Sequence, residues 1–261
     1  MLKSSAGPWR SLTAGLLDII FPPRCEVCEV FLGTGGAGEG LDRSFCPSCL
    51  KSFISIGGAV CPICGVPYAS ECTDHYCETC LKRPPFYDFT RALFYYEAAV
   101  SGAVHAYKFD RRSRLAATLG RAMGEHAVAW LCNSSEYLAV PVPLHPRRLA
   151  ERGFNQSALL ASKVAVRTGM ELDLFGLRRT RDTPAQSRLG KRARRRNVRG
   201  AFTTVDTGKF RGRSILLIDD VATTGSTLDE CAGVLKKAGA DLVLCLVFAR
   251  AGIGLARPHR Q

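Results

Sequence analysis

One segment in the C-terminal third of the chain carries two adjacent carboxylates followed at once by a turn rich in hydroxyl groups. The aliphatic run Ser214 to Ile218 leads to Asp219 and Asp220, and the next seven residues read VATTGST. An aliphatic run of this length predicts a buried strand, and open α/β folds bind ligands at the carboxyl ends of such strands. We therefore predict a ligand site over Asp219 to Thr227.

The turn has the residues needed to bind a phosphate group. Gly225 lets the backbone approach a ligand closely, and a helix that begins near Ser226 points unpaired N–H groups at the same place. The carboxylates would repel a phosphate unless they face sugar hydroxyls or Mg²⁺, so a phosphorylated sugar fits best. No Lys follows the glycine, which argues against a Walker loop and ATP hydrolysis. The predicted site consists of Asp219, Asp220, Val221, Ala222, Thr223, Thr224, Gly225, Ser226 and Thr227.

Four Cys-x-x-Cys pairs form a second group of residues suited to chemistry. One quartet comprises Cys25, Cys28, Cys46 and Cys49, and the other comprises Cys61, Cys64, Cys77 and Cys80. Four thiolates in a tetrahedron suit Zn²⁺, so we predict two structural zinc sites. A region this poor in large apolar residues needs the free energy of metal binding to fold.

The spacing of the cysteines leaves several alternatives open. Cys72 or His75 could replace a ligand of the second quartet, and ligands could be shared crosswise between the quartets. Free buried thiols and an iron–sulfur cluster are less favoured, because four such pairs in a short window rarely arise without a metal and thiolate quartets suit zinc. Cys132, Cys231 and Cys245 lie in apolar stretches and are predicted to be core residues.

The composition indicates a globular chain with an uneven distribution of charge. The 261 residues are 46% hydrophobic and 23% charged, which excludes a disordered or fibrous protein. Residues 1–90 hold 7 Lys+Arg and 9 Asp+Glu, so the whole net charge of +13 arises from the remainder of the chain. A polyanionic partner is therefore expected to bind the second region.

The apolar stretch Leu12 to Phe21 is the candidate for a membrane or export segment. It contains Asp18, covers about half of a transmembrane span of roughly 20 residues, and is not followed by a small-residue cleavage site. We predict no transmembrane segment and a cytoplasmic protein. The stretch is predicted to be a helix docked on the core, with a membrane-surface or partner helix as the alternative.

The elements that position these residues follow from the pattern of apolar side chains. After Pro84 the cysteine-rich pattern gives way to longer periodic segments. Their alternation predicts a mostly parallel sheet. Strands are predicted over residues 91–96, 137–142, 214–219 and 241–248, and helices over 113–131, 153–167 and 226–238.

The segment with the acidic pair resembles the binding motif for 5-phosphoribosyl 1-pyrophosphate (PRPP) in type I phosphoribosyltransferases. It matches the aliphatic run, the acidic pair, the Thr-Thr-Gly turn and the following hydroxyl residues without a gap. The resemblance implies that Ala222 to Thr227 hold the ribose 5-phosphate. It also implies that Asp219 and Asp220, as catalytic residues, contact the ribose hydroxyls, while Mg²⁺ bridges ribose and pyrophosphate.

Further segments resemble the ComF family of competence-associated proteins, which join an N-terminal zinc module to such a transferase fold. These segments read YKF at 107–109, VPVPL at 140–144, RGFNQS at 152–157 and RGAF at 199–202. By position, the loop after the second of them corresponds to the pyrophosphate loop of phosphoribosyltransferases. The candidate pyrophosphate contacts are Arg147, Arg148 and Arg152, and ordinary surface arginines are the alternative.

The resemblance and the residues together predict the fold class and the domains. We expect an α/β fold with a mostly parallel sheet of the type I phosphoribosyltransferase type and a small N-terminal cysteine-rich zinc-ribbon module. The predicted parts are an apolar helix over residues 1–21, a double zinc ribbon over 22–84 and a phosphoribosyltransferase-like domain over 85–261.

A strongly basic stretch, Arg178 to Arg199, holds ten Lys+Arg and one acidic residue. Its charges repel one another, so we predict a mobile loop that a polyanion neutralises. Such a loop fits the flexible catalytic loop of phosphoribosyltransferases and a contact with single-stranded DNA; a solvated surface is the alternative. The candidate nucleic-acid contacts are Arg178, Arg179, Arg188, Lys191, Arg192, Arg194, Arg195, Arg196 and Arg199.

Two hypotheses for the function follow. In the first, the protein is an enzyme that transfers the phosphoribosyl group of PRPP, with Mg²⁺, to an unidentified acceptor. In the second, it is a non-enzymatic nucleic-acid adaptor that keeps the PRPP site as a sensor. The family resemblance implies DNA uptake or processing, with a helicase or another competence protein as partner. A zinc-finger transcription regulator is a weaker hypothesis, because the cysteine region is net acidic.

Overall fold

The computed structural model describes residues 22–33, 40–68, 73–109, 113–183 and 191–252. The helix predicted within residues 1–21, Cys72 and Arg188 lie outside the described residues. The strands are β1 (Phe89–Tyr95), β2 (Leu138–Pro141), β3 (Glu171–Leu172), β4 (Leu177–Arg179), β5 (Phe202–Thr204), β6 (Ser214–Ala222) and β7 (Leu242–Arg250). The helices are α1 (Pro47–Lys51), α2 (Glu78–Lys82), α3 (Ala98–Phe109), α4 (Leu115–Trp130), α5 (Pro146–Arg152), α6 (Gln156–Thr168), α7 (Lys191–Val198) and α8 (Ser226–Lys237).

A parallel sheet of five strands forms the centre of the fold. Its order is β1-β7-β6-β2-β3, and every neighbouring pair is parallel. The middle strands β6 and β7 are aliphatic over most of their length because both faces of the sheet are covered. The carboxyl ends of these strands therefore meet at one edge, and β6 brings the acidic pair to it.

Helices α3, α4 and α6 cover one face of the sheet. Leu119 and Met123 lie four residues apart on α4 and are fully buried, as the apolar stripe of an amphipathic helix requires. Gly120 allows α6 to approach closely, since a Cβ at this position would lie 2.5 Å from the Cβ of Lys163. This close packing holds the start of α6 beside the sheet edge.

The opposite face is covered by α8, by the antiparallel hairpin of β4 and β5, and by α7. Leu228 and Leu235 of α8 are fully buried against the sheet. The backbone N–H of Gly200, just after α7, donates to Glu230 Oε1 of α8 at 2.6 Å. The basic stretch is therefore attached to the helix that follows the turn after β6.

The two cysteine-rich segments pack on opposite faces of the sheet. The first ribbon, residues 22–53, buries Phe45 and Phe53 in the core on the α4 side, and the second ribbon, residues 59–82, joins the core on the α8 side. The segment between them pairs with the outer edge of β1. The N–H of Tyr95 donates to the carbonyl of Ile54 at 3.0 Å, which covers an edge strand that would otherwise be open to pairing.

The predicted fold class is confirmed: a mostly parallel α/β sheet preceded by a cysteine-rich module. The strands and helices predicted after Pro84 all occur, with shifted ends. The elements that were not predicted are β3, β4, β5, α1, α2, α3, α5 and α7. The prediction of a mobile loop is wrong for Lys191–Val198, which forms α7. Val198 is 1% exposed, so burial against α8 outweighs the repulsion between the arginines. Among the described residues, no helix is long and apolar enough to span a membrane.

Candidate functional site

The acidic pair lies at the carboxyl end of β6, and both carboxylates have defined partners. Asp219 Oδ1 accepts a hydrogen bond from Ser157 Oγ at 2.7 Å and another from the backbone N–H of Asp220 at 2.9 Å. Asp220, which is buried, forms an ion pair with Lys108, its Oδ2 lying 2.9 Å from Nζ. The two carboxylates are therefore held in place before any ligand binds.

Lys108 and Ser157 come from helices on the same face of the sheet, α3 and α6. Asn155 caps α6: its Oδ1 accepts from the N–H of Ser157 at 3.0 Å, and its Nδ2 donates to the carbonyl of Val142 at 3.2 Å. The segments that contain these residues carry the family likeness, but the sequence predicted no role for the residues themselves. Only the long-range packing shows that Lys108 and Ser157 bind the acidic pair.

Burial and mutual repulsion control the charge of the pair. Burial raises the pKa of Asp219 to about 7, and the charge of Asp220 adds to the rise. Burial alone would lower the pKa of Lys108, but the carboxylate of Asp220 outweighs that effect and raises it. Asp219 therefore titrates near neutral pH, beside a lysine that stays charged.

The turn after β6, Ala222 to Thr227, leads directly into α8. Gly225 has φ +74° and is the N-cap of that helix, which it cannot cap with a side chain, and the N–H of Ser226 donates instead to Thr224 Oγ1 at 3.4 Å. A Cβ at Gly225 would also lie 3.1 Å from Tyr87 Oη. The hydroxyls of Thr224 and Ser226 are 2.8 Å apart. The turn thus places two hydroxyls beside the N-terminus of α8.

The three arginines predicted to bind pyrophosphate lie on α5, directly after β2, but only one is near the acidic pair. Arg152 is half buried; burial lowers its pKa, and the charge of Asp220 is the strongest effect opposing that change. Arg147 Nη1 lies 3.5 Å from Asp182 Oδ2, and Arg148 Nη2 donates to the carbonyl of Thr183 at 3.0 Å. These two line a separate cavity of about 330 Å³.

Each cysteine quartet gathers as the spacing predicts. The four Sγ atoms of each quartet lie within 4.8 Å of one another, with Cys28 and Cys46 at 3.6 Å and Cys64 and Cys77 at 3.7 Å. Tetrahedral Zn²⁺ with Zn–S bonds of about 2.3 Å requires Sγ separations of roughly 3.8 Å. The quartets therefore form two four-cysteine sites of the zinc-ribbon type.

Neither quartet borrows a ligand from outside it among the described residues. The ring of His75 stacks on that of Tyr68, with 3.8 Å between centroids, and is not part of the second quartet. Burial opposes ionisation of Cys25 and Cys61, but backbone N–H groups outweigh it and lower their pKa values to about 6 and about 7. Such N–H groups support bound thiolates and thereby favour a metal.

The basic stretch places its side chains in different surroundings. Arg178 on β4, together with Arg196 and Arg199 around α7, is exposed. Arg179 packs over the ring of Phe202 at 5.4 Å, and burial lowers its pKa. Arg181, which was not among the predicted contacts, donates to the carbonyls at the end of α7.

Comparison with known families matches both halves of this arrangement. The double zinc ribbon domain matches residues 16–81, and the phosphoribosyl transferase domain matches residues 151–260. The fold and the cysteine sites thus define a protein that joins a double zinc ribbon to a phosphoribosyltransferase-type domain.

Similar proteins identify the family. The DNA utilization protein YhgH of Salmonella typhimurium is 35% identical over 227 residues, which covers 85% of this chain and 94% of that protein. Competence protein F of Haemophilus influenzae is 30% identical over 220 residues, covering 80% and 91%. Competence protein ComFC of Streptococcus pneumoniae is 32% identical over 211 residues, covering 80% and 89%. The chain belongs to the ComF family, as the sequence predicted.

Proposed function

We propose that this protein binds PRPP together with Mg²⁺ at the acidic pair and the turn that follows it. The observation that carries the proposal is the continuous segment from Asp219 to Thr227, in which a pair of held carboxylates is followed by a helix N-terminus at Gly225. One end of this site suits a diol and the other a phosphate monoester. A phosphorylated pentose has both groups at the corresponding ends.

Each part of the site has a distinct role in the proposal. The N–H groups after Gly225 and the hydroxyls of the turn bind the 5-phosphate. Asp219 and Asp220 accept hydrogen bonds from the ribose hydroxyls. Oxygen ligands of this kind also suit Mg²⁺, which supplies positive charge beside the pyrophosphate. Arg152, near the pair, is the arginine best placed to bind the pyrophosphate. Arg147 and Arg148 lie farther from the acidic pair.

Titration calorimetry with PRPP and Mg²⁺ tests the binding. The wild-type chain is expected to bind, and Asp219→Asn/Asp220→Asn is expected to lose at least about tenfold in affinity because it removes both charges. Asp241→Asn, at the opposite end of β7, is the matched control and should bind as the wild type does. Absence of PRPP binding by the folded wild-type protein would refute the proposal.

Turnover is tested separately from binding. In phosphoribosyl transfer, an acceptor forms a bond to C1 of the ribose while the C1–O bond to pyrophosphate breaks. Pyrophosphate leaves with the electron pair, and the acceptor loses a proton to solvent or base. Release of pyrophosphate with nucleobases, nucleotides or DNA present identifies an enzyme. Binding without release under all these conditions favours the sensor in a non-enzymatic adaptor.

We also propose that the basic stretch contacts single-stranded DNA. Exposed arginines of β4 and α7 form a positive surface, and the similar proteins named above include a DNA utilization protein and competence proteins. Phosphates neutralise such a surface without reading sequence. A helicase or another competence protein as partner, and a role in DNA uptake or processing, belong to this proposal.

Salt dependence tests the DNA contact. Replacing the exposed Arg178, Arg196 and Arg199 by Ala should weaken single-stranded DNA binding and reduce the slope of log K against log salt by about 2, or about 0.7 for each lost contact. Replacing Lys51, Lys82 and Arg83, exposed cations of the cysteine-rich segments, is the matched control and should change neither. An unchanged affinity in the arginine variant would contradict the proposal.

A further inference from the structure

A carboxylate within the basic stretch contacts two arginines of α5. Asp182 is the single acidic residue between Arg178 and Arg199. Its Oδ2 lies 3.5 Å from Arg147 Nη1, and its Oδ1 lies 3.9 Å from Arg148 Nε. Arg147 and Asp182 are 35 residues apart in the chain, so the contact arises from the tertiary fold.

Both contacts are loose. A well-formed hydrogen bond between a guanidinium and a carboxylate is about 2.7 to 2.9 Å long, and both distances to Asp182 are longer. The carboxylate is 36% exposed, and ion pairs between partly exposed groups are weak. His145 Nδ1 accepts from the N–H of Arg147 at 3.3 Å, so this ring nitrogen has no proton to donate to Asp182. Another oxyanion can therefore displace Asp182 from the two arginines.

A third guanidinium is held beside the first two by Thr183. The hydroxyl of this buried threonine accepts from Arg179 Nη2, and its carbonyl accepts from Arg148 Nη2 at 3.0 Å. Burial lowers the pKa of Arg179, and the positive charge of Arg148 adds to that effect. Arg179 Nε is buried and has no hydrogen-bond partner among the described residues. Like charges are thus held close together, and a bound anion would relieve their repulsion.

The charges around this group of arginines do not balance. The two arginines of α5 line a cavity of about 330 Å³ together with Glu151 and Asp182. Glu151 Oε1 lies 3.4 Å from Arg147 Nε and is 65% exposed. With Arg179, three guanidiniums face two carboxylates. Guanidiniums bind phosphate oxygens in the same forked geometry as carboxylate oxygens, so the cavity suits a phosphate group.

The cavity adjoins the surface that we propose for DNA. Arg181, next to Asp182, donates to the carbonyl of Asn197 at 3.0 Å, which joins this segment to the end of α7. A ligand with repeated phosphates can therefore contact the exposed Arg196 and Arg199 and also reach the cavity. The arginine near the acidic pair is Arg152, which leaves this cavity separate from the candidate PRPP site. Single-stranded DNA is accordingly the source of phosphate that the arrangement favours.

We propose that Arg147 and Arg148 form a second phosphate-binding site, which Asp182 occupies in the structure and which a phosphate of single-stranded DNA takes over. Arg179 supports this site from the hairpin of β4 and β5. Asp182 acts as an internal competitor that limits the affinity of the basic stretch for DNA. The inference rests on the proposed DNA contact and adds residues of α5 to it.

Fluorescence anisotropy with a labelled single-stranded oligonucleotide tests the proposal on the full-length, zinc-loaded protein. Asp182→Asn keeps the shape of the side chain and removes its charge. We expect this variant to bind DNA about fivefold more tightly than the wild type at low salt, because the weak ion pairs that compete with the phosphate are lost. Asp206→Asn is the matched control, since it removes the same charge from an exposed residue just after β5. It should change the affinity by less than about twofold.

A variant without the two arginines separates a local effect from a general effect of net charge. Arg147→Gln/Arg148→Gln should bind DNA more weakly. Its slope of log K against log salt should fall by about 1.4, or about 0.7 for each lost contact. Adding Asp182→Asn to this double variant should then raise the affinity by less than about twofold, because the groups with which Asp182 interacts are gone.

Two outcomes would overturn the proposal and leave the proposed DNA contact intact. One is equal DNA affinity of Asp182→Asn and the wild type. The other is a fivefold gain that persists without both arginines, which would be a general effect of net charge. Absence of DNA binding by all of these proteins at low salt would overturn the DNA contact and this inference together.

Calorimetry with inorganic pyrophosphate distinguishes the source of the phosphate group. Asp182→Asn should gain affinity for DNA in any case if the proposal holds. A variant that binds pyrophosphate more tightly but DNA no better would assign the cavity to a small anion and overturn the assignment to DNA.

A measurement on the wild-type protein covers variants that do not fold. In zinc-loaded protein labelled with nitrogen-15, the backbone N–H signals of Asp182 and Thr183 should shift when a single-stranded oligonucleotide is added at low salt. The shifts should reverse when salt is raised. Unchanged signals of these two residues, with shifted signals of Arg196 and Arg199, would also overturn the proposal.

Discussion

The two zinc ribbons look alike in sequence but differ in what they hold in place. The first ribbon buries Phe45 and Phe53 in the core on the α4 side of the sheet, where the ring of Phe53 contacts that of Phe248 on β7. The second ribbon is packed against β1 through Gly65 and joins the core on the α8 side. A repeated metal motif therefore supports two different faces of the sheet, one on the side of α4 and one on the side of α8, the helix that follows the candidate ligand site.

Removing one cysteine ligand from each ribbon in turn should give the largest difference in PRPP affinity between two variants. Cys46→Ser and Cys64→Ser replace cysteines with equal exposure, 6% each, and each variant should lose one zinc ion, as measured by metal analysis. PRPP binding by calorimetry should fall about tenfold in Cys64→Ser, because the second ribbon packs on the side of the sheet that carries α8, and α8 begins at the turn of the candidate site. The loss in Cys46→Ser should be less than about threefold. Equal losses would show that the ribbons act alike.

A substitution at Lys108 tests whether PRPP affinity also depends on the face of the sheet that the first ribbon covers. Lys108→Met leaves Asp220 buried without its partner and should reduce the free energy of unfolding by about 3 kcal/mol. Lys209→Met, which breaks the pair between Lys209 and the buried Asp173, is the matched control. Denaturant unfolding measures both. PRPP affinity should change in Lys108→Met alone; a change in both variants would point to general loosening of the fold.

Alanine substitutions at two glycines compare how tightly the backbone packs in the second ribbon and in the segment between the ribbons. Gly65 has φ +65° and lies against β1, whereas Gly58, in the segment between the ribbons, has φ +82° and open space around it. Gly65→Ala should cost about 3 kcal/mol of unfolding free energy, from strain and from the clash with Thr90. Gly58→Ala should cost about 1 kcal/mol, from strain alone. Similar costs in denaturant unfolding would show that the second ribbon is loosely attached.

The smallest effect concerns pH. Because burial raises the pKa of Asp219 to about 7, the ionised fraction should rise about threefold between pH 6.5 and 7.5, and Mg²⁺-dependent PRPP affinity should rise with it. The folded pKa lies above the ordinary value, so this carboxyl group stabilises the fold fully below about pH 4. That contribution is lost as the pH rises through about 7. Asp219→Asn should bind PRPP without this dependence, and a flat profile in the wild type would contradict it.

The spacing of residues in the sequence was sufficient to predict the sites that are built from residues close together in the chain. Each Cys-x-x-Cys pair forms one side of its metal site within a single turn, and the acidic pair adjoins the glycine turn of the candidate site in the chain. The parallel sheet could also be predicted, since buried strands of β6 and β7 have unbroken aliphatic runs. These features depend on few residues and on periodicity, which any sequence displays directly.

The tertiary structure alone decided which distant groups meet. Lys108 reaches Asp220 across more than a hundred residues, and Ser157 reaches Asp219 only because α6 packs on the sheet beside β6. It also determined that the two similar ribbons cover opposite faces of one sheet. Such contacts depend on strand order and helix packing, which involve burial summed over the whole core, and no local pattern of residues contains that information.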